Sequence, residues 1–135
     1  MPSLTRWFIK SALVYLVASL LIGVVLAADT LAALSTLMPT YLHLFMVGWV
    51  TQMIFGVAYW VFPRRANAEL PGCERLVLLS YLALNAGLIG RAVAEPMLLF
   101  RPGRLWAGML IVSALFQWLA ALAFAANMWT RVKER

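Results

Sequence analysis

Four stretches of the chain run for about twenty residues or more with very little charge. Segments of that length and apolarity match the hydrocarbon core of a bilayer, roughly 30 Å thick, which a helix crosses in about 20 residues. The stretches cover approximately 7–28, 40–62, 74–94 and 104–129. Of the 135 residues, 64% are hydrophobic and 12% charged, whereas a soluble domain carries about 45–50% apolar and about 25% charged residues. Too little charge remains to wet a soluble surface, and the mean hydropathy of +0.89 agrees. The chain reads as an all-α polytopic membrane protein, one transmembrane domain over 1–135 arranged as an antiparallel four-helix bundle.

Prolines punctuate the spans. Pro39 suits the first turn of the second helix, and Pro63-Arg64-Arg65 closes it. Pro96 disfavours helix at Glu95 and predicts that the third span ends at Ala94, while Pro102-Gly103 introduces the fourth. Connections of about 11, 11 and 9 residues make consecutive helices antiparallel neighbours. The first connection, DTLAALSTLMP, is apolar enough to lie as a short helix along the membrane surface. Ala27-Ala28 before Asp29 has the small residues of a signal-peptide cleavage site, but the apolar run of about 18 residues after Lys10 is long enough to span.

Basic residues set the orientation. Arg6, Lys10, Arg64, Arg65, Arg75, Arg131, Lys133 and Arg135 fall at the two termini and the second connection, against Arg101 and Arg104 in the third. This asymmetry places both termini in the cytoplasm, in a bacterial inner membrane. The formal charge of +6 is thereby accounted for without nucleic acid, since no basic domain lies outside the spans to hold one. The single cysteine, Cys73, excludes an intrachain disulfide or an iron–sulfur cluster within one copy. Small residues spaced by four, Ser19 with Gly23, Ala83 with Gly87 and Ala121 with Ala125, are places where helices can approach closely.

The one histidine, His43, lies about a turn inside the second span. An ionisable side chain at that depth points to function, and a neutral imidazole is a common ligand of haem iron; the plainer alternative is a hydrogen-bonded histidine near the interface. Its surroundings read HLFMVGWVTQMIFGVAYWVFPR. This segment resembles the second transmembrane helix of subunit I in the haem–copper oxidase superfamily, particularly the nitric oxide reductase branch. In that family a histidine near the outer face binds the low-spin haem, and the helix ends in a pattern like Gly56, Tyr59, Trp60 and Pro63. The resemblance covers about a sixth of the chain. It implies a b-type haem on His43, and the charge count independently places His43 toward the outer face.

One histidine cannot supply the family's second haem or its three-histidine metal centre. A self-contained oxidase or nitric oxide reductase is therefore excluded for one chain. The second axial ligand has three possible sources: His43 of a second copy in a symmetric dimer, a methionine such as Met46 or Met97, or an open position for a gas. The dimer is favoured, because a two-fold axis along the membrane normal sets two histidines at equal depth.

Arg91 and Glu95 lie four apart near the outer end of the third span. Arg91 is placed to meet a haem propionate, with Arg101 and Arg104 behind it, or to pair with Glu95 and hold the helix end. Asn85, Gln52, Thr51, Ser80, Ser113 and Gln117 can join helices by hydrogen bonds. Trp49, Trp60, Tyr41 and Tyr59 suit an interface belt or a haem wall. The expected function is a non-catalytic membrane haem protein that carries electrons or senses a diatomic gas, surrounded by lipid and homo-oligomeric, with a respiratory-chain protein as a possible partner. The rival expectation is a cofactor-free interaction or assembly subunit of a respiratory complex.

Overall fold

The computed structural model describes residues 1–28, 37–62 and 72–132, and for 72, 73 and 130 the backbone alone. Among them are four helices long and apolar enough to cross a membrane, and no strand. Helix α1 is Ser3–Ala27, α2 is Met38–Val61, α3 is Gly72–Phe100 and α4 is Arg104–Val132. At about 1.5 Å per residue, even the 24-residue α2 exceeds the hydrocarbon thickness. The apolar connection at 29–36, Pro63 with Arg64 and Arg65, and the Cys73 side chain lie outside the described residues.

Helix α3 does not stop at Ala94: it runs through Pro96 to Phe100, leaving only Arg101 to Gly103 before α4. The proline removes one backbone donor, but a chain leaving the helix at membrane depth would strand several. The last turn instead closes with the Arg101 N–H donating to the Met97 carbonyl at 2.8 Å.

Helix α2 contains an irregularity of its own. From Leu44 to Thr51 it is π-helical, beginning directly after His43, and the Thr51 hydroxyl donates to the Met46 carbonyl at 2.9 Å. Such wide turns recur at functional sites.

Beside an apolar core the helices bury small polar side chains and leave large apolar ones outside, unlike a soluble bundle. Thr5, Ser19, Gln52, Ser80 and Ser113 are buried, while Val14, Val17, Leu21, Ile111, Leu115 and Trp118 stand exposed on α1 and α4. Lipid solvates the large apolar side chains, and close packing with polar contacts joins the helices. Two glycines of α2 seat α1: a Cβ on Gly48 would lie 2.8 Å from Tyr15 Cβ, and one on Gly56 2.9 Å from Phe8 Cβ. Gly87 does the same between α3 and α4, where a Cβ would meet the Ser113 carbonyl at 2.8 Å. Gly23 faces the Tyr41 ring, whereas Ala121 and Ala125 are on the exposed side of α4.

An aromatic core joins the two hairpins near the start of α1. Phe55 stacks on Phe124 with ring centroids 3.8 Å apart, and Phe8 meets Tyr81 edge-on at 5.1 Å. Arg131, near the end of α4, lies 4.6 Å over the Tyr59 ring. The opposite end of the bundle holds the ends of α1 and α3 and the start of α2, and there the charged cluster sits.

Candidate functional site

Four side chains converge between the first turns of α2 and the last turns of α3. Thr40 Oγ1 donates to Glu95 Oε2 at 2.7 Å, and Glu95 Oε1 lies 3.3 Å from His43 Nδ1 and 3.7 Å from Arg91 Nε. The Pro39 carbonyl, one turn before His43, is 2.7 Å from the same Nδ1. On the far side of the ring, Arg91 Nη1 contacts His43 Nε2 at 2.5 Å. Helical spacing explains the convergence: Thr40 and His43 are three apart, Arg91 and Glu95 four apart, so each pair shares one helix face.

The neighbouring groups assign the tautomer of the ring. A guanidinium has only N–H donors and keeps its charge, so Nε2 accepts from Arg91 and carries no proton. Nδ1 then bears the hydrogen and donates to the Pro39 carbonyl, with Glu95 Oε1 beside it. In this assignment the ring is fixed through Nδ1 and its lone pair is on Nε2. Side-chain exposure is 31% for His43, 18% for Arg91 and 10% for Glu95. Arg91 Nε is buried without a hydrogen-bond partner.

The residues singled out in the sequence divide on this geometry. His43, Arg91 and Glu95 come together, whereas Met46 is 55% exposed and Met97 is also exposed. Arg101 and Arg104 lie on the surface. Tyr41 stacks on Phe45 and Phe45 meets Trp49, forming an aromatic row along α2. Trp60 is exposed and Tyr59 is buried under Arg131. Sequence reasoning missed Thr40 and the Pro39 carbonyl; the spacing of Thr40 from His43 was the available signal.

A second polar group occupies the middle of the bundle. Ser11 Oγ and Tyr81 Oη are 2.7 Å apart, Tyr15 Oη donates to Asn85 Oδ1 at 2.9 Å, and Asn85 Nδ2 donates to the Tyr81 carbonyl at 2.8 Å. Both α1-to-α3 pairs have the same sequence separation, 70 residues, as two parallel helices in register require. Gln52 reaches Asn85 from α2 at 3.4 Å, so amides and hydroxyls here tie three helices.

Fold and site define a class, an α-helical multi-pass membrane protein with a histidine, arginine and carboxylate cluster toward one end of the helix bundle. Compared with protein-family models, curated proteins and solved structures, the chain gives no match. Among the described residues, no three His, Cys, Asp or Glu side chains group as a metal site.

Proposed function

We propose that the chain is a membrane haem protein of the bacterial inner membrane, both termini cytoplasmic, in which His43 supplies an axial nitrogen to a b-type haem. The observation that carries this reading is the Nδ1 hydrogen bond to the Pro39 carbonyl with Glu95 alongside. Metal-binding histidines characteristically donate the second ring nitrogen to a carbonyl or carboxylate, which fixes the tautomer and leaves Nε2 to coordinate. Arg91, with an unpartnered buried Nε, suits a propionate carboxylate. The iron would supply one-electron or gas-binding chemistry, and the protein residues hold and orient it. The likeness of the α2 segment to oxidase subunit I supports the same assignment.

Electron transfer and gas sensing differ in the second axial position. In a homodimer the partner's His43 fills it, giving one haem per two chains and weak carbon monoxide binding. Met46 would need to turn from its exposed position to do so. An open position gives one haem per chain and strong carbon monoxide binding. Haem content per chain, measured by pyridine haemochrome with a carbon monoxide difference spectrum, separates these. Protein purified without haem that takes up none from added haemin contradicts the assignment.

One observation favours the rival, a cofactor-free interaction subunit for a respiratory complex. Arg91 already engages Nε2, so the cluster is satisfied at that nitrogen by the chain itself.

A further inference from the structure

The histidine ring and the arginine on its lone pair are held very differently. The ring is anchored at Nδ1 by the Pro39 carbonyl, and Glu95 beside it is anchored in turn by Thr40. Arg91 has one side-chain hydrogen bond among the described residues, the one to Nε2. Its Nε has no hydrogen-bond partner and faces Glu95 Oε1 at 3.7 Å, an i,i+4 ion pair that keeps the guanidinium charge partnered whether or not Nη1 engages Nε2. The guanidinium, with an ion pair that survives loss of the Nε2 contact, is the group that can turn without unmaking the rest of the cluster.

We infer that Arg91 is a displaceable cap on His43 Nε2: an electron-pair acceptor reaches this nitrogen only as the guanidinium turns away, and His43 itself stays in place. This deepens the haem reading and rests on it only for the identity of the acceptor. A displaceable cap has two states. In one it donates to Nε2 while paired with Glu95; in the other it keeps Glu95 and turns Nη1 from the ring, toward a carboxylate that arrives with the acceptor. A charge-assisted hydrogen bond must break between them, so the uncapped nitrogen is the minor form. The cap also keeps a reactive lone pair occupied until the proper ligand displaces it.

A single histidine makes the test direct. Diethyl pyrocarbonate reacts at the imidazole lone pair, ethyl carbonate leaving as the N–C bond forms, and the histidine product absorbs near 240 nm. Every histidine signal from this chain is His43. Arg91→Met keeps much of the side-chain bulk and removes the donors, which separates capping from simple shielding. The variant should react roughly tenfold faster or more than the wild type in detergent, the factor matching loss of a hydrogen bond to a charged group. Equal rates overturn the cap. Should Arg91→Met fail to fold, the histidine ¹⁵N spectrum of the wild type decides: a hydrogen-bonded, unprotonated Nε2 with the proton on Nδ1 supports the cap, and a protonated Nε2 overturns it. A wild type that takes up no added haemin while the rate difference holds removes the haem reading and leaves the cap.

Discussion

Thr40 donates its hydroxyl to Glu95 across 2.7 Å, joining the first turn of α2 to the end of α3. The bond holds the carboxylate that faces His43 Nδ1 and Arg91 Nε, so a small polar residue at the start of one helix organises the charges on another. Thr40→Val keeps the shape and removes the donor. It should destabilise the protein by about 1–3 kcal/mol, the usual cost of leaving a buried acceptor without its partner. Unfolding followed in mixed micelles measures this, and an unchanged midpoint would mean that water or Arg91 substitutes fully for the hydroxyl.

Gly48 and Gly108 should respond oppositely to alanine. At Gly48 the added methyl meets Tyr15 Cβ and Cγ at 2.8 Å, atoms at the base of the side chain that cannot move without α1. The expected loss is about 1–3 kcal/mol from overpacking. At Gly108 nothing lies within 4 Å, and alanine should leave stability unchanged or raise it by up to about 1 kcal/mol. Equal effects at the two positions would place the tight α1–α2 contact elsewhere.

Asn85 accepts from Tyr15 and from Gln52 with one oxygen. Asn85→Leu should therefore cost more than Tyr15→Phe, which removes one member of the group at roughly 0.6 kcal/mol for an average bond between membrane helices. The double variant should fall short of the sum of the two, because both changes remove the same bond. A double-mutant cycle that adds without coupling would show that the two side chains act independently.

The spans were legible because length and apolarity suffice to read a membrane helix, and that argument needs no tertiary detail. The end of α3 was not: the rule for the residue before proline is a local steric preference, and at Glu95 the need to satisfy the backbone in a bilayer overrides it. His43, Arg91 and Glu95 could be marked because ionisable groups at depth are rare. Thr40 was harder to mark: its three-residue spacing from His43 puts both on one helix face, but a threonine at a helix start otherwise looks like any other. The pairs Ser11 with Tyr15 and Tyr81 with Asn85 repeat the same four-residue spacing on α1 and α3, but only the register of the helices reveals that they meet. LFMVGWVT carries no pattern that distinguishes a π-helical turn from an α-helical one.

Arg91→Ala removes the partner of both His43 and Glu95. If the site is dry, stability should fall by about 3–5 kcal/mol, and by less where water reaches the carboxylate. Haem content should fall with it if the guanidinium also holds a propionate. Glu95→Gln combined with Arg91→Ala should recover part of the stability loss, since no charge is then left alone. A single Arg91→Ala variant with wild-type stability and wild-type haem would count against both roles.

Orientation can be read from a reporter fused after Arg135. The basic asymmetry predicts a fluorescent, cytoplasmic green fluorescent protein fusion and an inactive alkaline phosphatase fusion. The reverse pattern would put the His43 cluster at the cytoplasmic face and remove the depth match with the outer-face haem of oxidase subunit I.

The most direct measurement of the central claim is the reduced-minus-oxidised spectrum of detergent-purified wild type beside His43→Ala, with matched helicity and a single gel-filtration peak for both. A Soret band and sharp α band in the wild type, both lost in the variant, are the predicted result. A variant that keeps the full haem complement with an unaltered spectrum, or a wild type that shows no haem even after haemin is supplied, would contradict His43 as the ligand.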